Sequence, residues 1–165
     1  MKVLILCTGN SCRSQMAHGF LQAFDKSITV RSAGTQPAKG VHPFAVQVMS
    51  EVGVNISSHR PTDVREYLGE DWDYVITVCG DANETCPGFT GNVKHRLHIG
   101  FTDPAKAKGS PAYMMDVFRR VRRKIYNDFA RFYIKEVSEQ ELPECSCRAN
   151  TKYSNKRKTE SENDK

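Results

Sequence analysis

Lys2-Val3-Leu4-Ile5-Leu6-Cys7-Thr8-Gly9-Asn10-Ser11-Cys12-Arg13-Ser14-Gln15-Met16 is the stretch on which the reading of this chain turns. Lys2–Leu6 is a short apolar run rich in strand formers, and it gives way at Cys7 to small and polar residues. Met16, Phe20, Leu21 and Phe24 then recur at helical spacing, which predicts a helix over roughly Arg13 to Phe24. Strand, small-residue loop and helix are the start of a βαβ unit, with Cys7 and Arg13 bracketing five residues at its turn. At such a turn consecutive backbone N–H groups face inward and the helix N-terminus adds partial positive charge, a cradle for a tetrahedral anion. Gly9 and Asn10 tolerate the backbone angles this loop demands. The expected oxyanion loop is Thr8, Gly9, Asn10, Ser11, Cys12, Arg13 and Ser14. Cys7 sits at its mouth as a nucleophile, and its pKa is expected below the free value of about 8.5 because of the amides, Arg13 and the Ser14 hydroxyl. The planar fork of Arg13 can grip two anion oxygens at once.

Outward from this unit, Ile28–Ser32 reads as a second strand. Pro43–Val52 reads as a helix with Gly53 at its end, and Thr62 or Asp63 as the cap of a short helix through Leu68. Tyr74–Val78 is a continuous apolar run with β-branched residues, the mark of a central parallel strand. Leu97–Ile99 is a shorter strand candidate. Met114, Val117, Phe118, Val121, Ile125, Phe129 and Phe132 mark a long amphipathic helix whose stripe is core. The alternation predicts an α/β fold with a parallel sheet of about four strands and helices on both faces. Past about Val137 the pattern fails: residues 148–165 hold six Lys/Arg and three Asp/Glu with almost no large apolar side chain. The expected division is therefore a catalytic domain over 1–137 and a polar, flexible tail over 138–165.

The bulk numbers set outer bounds. A chain of 165 residues with 39% hydrophobic content suits one core, and a formal charge of +5 is too mild to imply nucleic acid. The basic stretch Arg119-Arg120-Val121-Arg122-Arg123-Lys124 reads as a solvated helix face. No apolar run approaches the roughly 18–20 residues of a membrane span, and Met1–Leu6 is too short for a signal sequence. A cytoplasmic monomer is expected. There, the six cysteines at 7, 12, 79, 86, 145 and 147 read as reactive or incidental thiols and not as a disulfide framework.

Cys-Thr-Gly-Asn-Ser-Cys-Arg-Ser at 7–14 resembles the signature loop of the low-molecular-weight protein tyrosine phosphatases and of their relatives, the thioredoxin-coupled arsenate reductases. The similarity runs from Lys2 to about Lys135 and includes Ser32-Ala33-Gly34, Ile56-Ser57-Ser58-His59 and Asp103-Pro104. It implies that Asp103 is a general acid over the loop, a role that an Asp on a polar loop can fill by protonating a leaving oxygen. Cys79-Gly80-Asp81-Ala82-Asn83-Glu84-Thr85-Cys86-Pro87 resembles the redox segment of the reductases. Ala105-Lys106-Ala107 stands where the phosphatases often carry paired tyrosines. The resemblance thus implies arsenate as the oxyanion, catalysis by Cys7, Arg13, Asp103, Cys79 and Cys86, no bound cofactor or metal, and thioredoxin as electron donor. A tyrosine phosphatase with protective thiols is the alternative, and an idle oxyanion-binding regulator is a third reading.

Cys79 and Cys86 are seven residues apart, so in a helix their Cα atoms would lie about 10 Å apart. A disulfide needs roughly 4.4–6.8 Å. Residues 80–90 are therefore expected to unfold locally on oxidation, with Gly80 and Gly88 as pivots. Cys12 is left outside the cascade, and Cys145 and Cys147 read as an incidental pair. Some family members bind potassium beside the loop; Asn10, Ser32 and Asp63 match that pattern, but His18 stands where those members carry an acidic residue. Imidazole is a poor ligand for a hard cation, so potassium activation is not expected. His42, His59, His95 and His98 read as structural.

Overall fold

A computed structural model describes residues 1–80 and 88–138 of the chain. Four strands form one parallel sheet in the order β2-β1-β3-β4: β1 (Lys2–Cys7), β2 (Thr29–Gly34), β3 (Trp72–Thr77) and β4 (Val93–His98). Among the described residues, three α-helices follow the predicted places: α1 (Arg13–Phe24), α2 (Pro43–Ser50) and α3 (Pro111–Glu136). The period of two in β1 divides the interior. Val3, Ile5 and Cys7 face a core shared with Met16, Phe20, Phe118, Ile125 and Phe129 of α1 and α3 and with Val48 and Met49 of α2. Leu4 and Leu6 face the other side, against Val64, Trp72 and Val75. The α-helices thus cover one face, while the cover of the second face among the described residues includes a 3-10 helix, Val64–Tyr67.

Local chemistry explains the boundaries. Pro43 and Pro111 occupy the first turns of α2 and α3, where a missing N–H costs nothing. His42 and Ser110 cap those helices by accepting from Phe44 N and Tyr113 N, each at 3.2 Å. Asp63 caps the 3-10 helix through Arg65 N at 2.9 Å. Gly53, with φ +76°, takes the left-handed turn after α2 and lets Val54 N reach back to Met49 O at 3.1 Å. β4 is longer than the Leu97–Ile99 run predicted: it begins at Val93, and Lys94, His95, Arg96 and His98 are exposed on this sheet-edge strand. An edge strand of that composition offers no apolar alternation to read.

The basic stretch on α3 is not uniformly solvated. Arg122 is buried, donating to Val48 O and, at 3.0 Å, to Glu51, while Arg119 pairs with the same carboxylate at 2.7 Å. Arg122 is four residues on from Phe118 and three before Ile125, so it falls on the inward stripe. Its charge is spent on the C-terminal end of α2, where unpaired carbonyls attract cations. Arg120, Arg123 and Lys124 remain exposed, as expected.

The order β2-β1-β3-β4 places a switch point between β1 and β3, because the chain leaves β1 for β2 on one side and returns to β3 on the other. In open parallel sheets, the crevice at the carboxyl ends of two such strands is where ligands bind. Val78 N donates to Leu6 O at 2.9 Å, which sets the ends of β1 and β3 side by side and brings Cys7 and Cys79 to the same rim.

Candidate active site

The loop after β1 is built by turning its carbonyls outward. Cys7 O accepts from Thr35 N at 3.2 Å, Thr8 O from Gln36 N at 2.9 Å, Gly9 O from Ala38 N at 2.9 Å and Ser11 O from His42 N at 2.9 Å. Asn10 O accepts from Gln15 Nε2 at 3.0 Å, and Cys12 O from Met16 N at 2.9 Å. In a trans peptide the N–H points opposite to the C=O before it. Six outward carbonyls therefore direct the amides of residues 8–13 the other way, toward a cavity of about 250 Å³. Cys7, Thr8, Gly9, Asn10, Ser11, Cys12 and Arg13 line it, together with Asp103, Ala105 and Lys106.

Asn10 holds the loop's one positive φ, +47°, and is fully buried. Its side chain is fixed from three directions. The amide nitrogen donates to Ser14 Oγ at 2.9 Å, and Oδ1 accepts from Thr62 N at 2.9 Å and Gln15 Nε2 at 3.2 Å. Ser14, predicted beside the Cys7 sulfur, is engaged by this amide. Gly34, at the end of β2, is needed for close approach: a Cβ there would press into Thr8 O and lie 3.1 Å from Asn10 Cβ.

Arg13 and Asp103 meet as expected. Arg13 Nη2 pairs with Asp103 Oδ2 at 2.9 Å and Nη1 donates to Phe101 O at 3.1 Å, with side-chain exposures of 12% and 23% for the pair. Asp103 Oδ1 also accepts from Ala105 N at 3.1 Å, as the cap of a second 3-10 helix, Pro104–Lys106. Arg13 Nε is buried and has no partner among the described residues. An orphaned buried donor costs about 1–3 kcal/mol, so an anion oxygen that satisfies it gains correspondingly.

Cys7 and Cys79 are 3% and 2% exposed, carry free thiols, and lie near enough for Cys79 to act on the Cys7 thiol. Thr8 Oγ1 lies 3.4 Å from the Cys79 sulfur. The expected low pKa of Cys7 is not met in this arrangement. The hydrogen bond to Cys79 pushes the Cys7 thiol upward, and burial adds to it; Arg13 and the Thr8 N–H pull downward and are outweighed. Removing the second sulfur should reverse much of that. Cys79→Ala is expected to move the pH midpoint of Cys7 alkylation by iodoacetamide to lower pH, read at pH steps by mass spectrometry. An unchanged midpoint would mean that burial alone holds the thiol form. Cys12, 4% exposed with its sulfur 3.6 Å from Ser11 Oγ, is pushed up to about 11, chiefly by burial, and is an un-ionised thiol at neutral pH. Cys86, residues 81–87 of the predicted unfolding segment, Cys145 and Cys147 lie outside the described residues.

Sequence reasoning missed the support behind the loop. His59 Nδ1 contacts Gln15 Oε1 at 3.0 Å, and Gln15 in turn holds Asn10; His59 also packs against His18 with ring centroids 4.5 Å apart. His18 Nδ1 lies 3.2 Å from Ser32 Oγ, and its pKa is pushed down to about 3 by burial first and then by His59 and Arg31. The four positions compared with a potassium site do not suit a cation. Asn10 Oδ1 is already doubly engaged, Ser32 faces a neutral imidazole, and both Asp63 oxygens are bound by Arg65 at 2.6–2.9 Å. Lys106 entered the sequence reading only within Ala105-Lys106-Ala107, and its place on the cavity wall beside Asp103 was not foreseen.

A buried cysteine at the mouth of an amide cradle, beside a paired arginine and aspartate on a four-stranded parallel sheet, is an arrangement suited to an enzyme that acts on an oxyanion. Residues 2–142 match the low molecular weight phosphotyrosine protein phosphatase family, and the chain belongs to it. Within that family its similarity runs to arsenate reductases. That of Halalkalibacterium halodurans is 45% identical over 124 residues, 74% of this chain and 88% of that protein. The structure of an arsenate reductase in the phosphate binding state superposes with a TM-score of 0.69 at 31% identity, covering 81% of this chain and 97% of that one. A thioredoxin-dependent arsenate reductase from Corynebacterium glutamicum superposes with a TM-score of 0.50 at 31% identity, covering 78% of this chain and 61% of that one.

Proposed function

We propose that the protein reduces arsenate to arsenite by a relay of three cysteines that thioredoxin recycles. The amides of the loop and Arg13 hold the oxyanion. The Cys7 thiolate attacks arsenic, and Asp103 protonates the departing oxygen, which leaves as water. The Cys79 thiolate then attacks the sulfur of Cys7. The sulfur–arsenic bond breaks with its electron pair going to arsenic, arsenite leaves, and a Cys7–Cys79 disulfide remains. Cys86 attacks Cys79 next, freeing Cys7 as thiolate, and thioredoxin reduces the Cys79–Cys86 disulfide by exchange.

The observation that carries this reading is that two buried cysteines sit at adjoining strand ends, with the Cys79 sulfur 3.4 Å from Thr8 Oγ1, next in sequence to Cys7. Phosphoester hydrolysis needs Cys7, Arg13 and an acid, and makes no use of a second thiol there. Disposing of two electrons' worth of oxidation does. The shared loop, Arg13 and Asp103 also suit a residual phosphatase activity, as the family allows. Thioredoxin as donor is supported by the Corynebacterium relative. No described helix is long and apolar enough to cross a membrane. We place the protein in the cytoplasm as a monomer, where its thiols stay reduced, with residues 1–137 as catalytic domain and 138–165 as a polar tail.

Wild-type protein mixed with thioredoxin, thioredoxin reductase, NADPH and arsenate is expected to oxidise NADPH in proportion to arsenite formed. No arsenate-dependent consumption above a reaction lacking the protein would overturn the reading.

A further inference from the structure

Lys106 has no part in the relay, yet its surroundings give it one in substrate binding. It ends the 3-10 helix Pro104–Lys106, lines the cavity with Cys7, Arg13 and Asp103, is exposed, and makes no ion pair among the described residues. Asp103 caps the 3-10 helix that Lys106 ends, and both side chains line the cavity of the cradle. Asp103 is held there by Ala105 N at 3.1 Å and Arg13 Nη2 at 2.9 Å.

Charge accounting asks for a cation at this edge. Free arsenate or phosphate is divided between its mono- and dianion near neutrality. Before the oxyanion enters, the Arg13–Asp103 ion pair is neutral as a unit, and the N-terminus of α1 supplies only about half a positive charge. A dianion in the cradle therefore leaves the cavity negative unless another group compensates, and Lys106 is the remaining cationic side chain in its wall. A lysine ammonium is a compact, flexible and strongly hydrated point charge. It suits a bare outer oxygen and offers an aryl substituent no stacking surface.

We propose that Lys106 is a substrate-positioning residue whose ammonium holds the outward oxygen of a free tetrahedral oxyanion in the loop, favouring inorganic oxyanions over their esters. This deepens the arsenate-reducing reading and rests on it for the identity of the physiological anion. The test uses reduced, full-length protein as wild type, Lys106→Met and Lys106→Arg. Inorganic phosphate binding is measured by calorimetry, and KM and kcat are measured for arsenate and for para-nitrophenyl phosphate.

Lys106→Met is expected to weaken phosphate binding and raise the arsenate KM about tenfold, the scale of one partly screened charge, with kcat within about twofold. Lys106→Arg restores most of the loss, salt shrinks it, and the aryl phosphate KM moves less than about twofold. Phosphate affinity that is unmeasurable in wild type or unchanged in Lys106→Met overturns the proposal, as does an equal loss for the ester. Phosphate binding needs no turnover. A wild type that binds phosphate through Lys106 but leaves arsenate unreduced would sink the reductase reading and leave this assignment standing.

Discussion

Cys79→Ser is expected to lower multiple-turnover arsenate reduction by about three orders of magnitude while leaving aryl phosphate hydrolysis within a few-fold of wild type. The asymmetry follows from which bonds each reaction needs. Both begin with attack by the Cys7 sulfur on a centre held by the same amides and by Arg13. They part after the covalent adduct forms: hydrolysis needs only water, whereas reduction needs a second sulfur to take Cys7 off arsenic. Serine keeps the size and a hydrogen-bonding group beside Thr8, but its oxygen does not displace sulfur in this way. The variant should therefore stall with arsenic bound to Cys7, and mass spectrometry of the trapped protein should show that adduct. The coupled NADPH assay supplies the rate. Arsenate turnover near the wild-type rate by the variant would remove Cys79 from the mechanism, and loss of both activities together would point to a collapsed loop.

The features legible in the sequence were those whose cause is local. The apolar run Lys2–Leu6 and the helical stripe from Met16 locate β1 and α1, and the spacing of Cys7 and Arg13 places a cradle between them. The small residues of the loop predict a strained turn, and Asn10 carries it while Gly9 does not. What escaped has causes distant along the chain. The raised pKa of Cys7 arises from a sulfur brought alongside by β1–β3 pairing. Arg122 reads as one of several basic residues until the end of α2 arrives beneath it. Gln15 and His59 look like ordinary polar residues, and only the fold sets His59 against Gln15 and Gln15 against Asn10. Lys106 is a middle case: its nearness to Asp103 is printed in the sequence, but the 3-10 turn that sets both on the cavity wall is not.

Asp103→Asn is expected to divide catalysis from binding. Loss of a general acid costs about 10²- to 10⁴-fold, so kcat for aryl phosphate hydrolysis should fall by about a hundredfold or more. Affinity for inorganic phosphate should move the other way. Asp103 now occupies one arm of the Arg13 fork at 2.9 Å and places a carboxylate on the wall of a cavity built for an anion. Asparagine keeps an oxygen that can accept from Ala105 N, so the 3-10 turn should survive, but it removes the competing charge. With Arg13 and Asp103 only 12% and 23% exposed, solvent screens that repulsion incompletely, and phosphate should bind several-fold tighter. Calorimetry on the reduced variant reads the affinity and initial rates read kcat. If phosphate binds more weakly, Asp103 is chiefly an anchor that orients Arg13, and the loop depends on the pair as a unit. If kcat is unchanged, the departing oxygen takes its proton from elsewhere, and water in the open cavity becomes the acid.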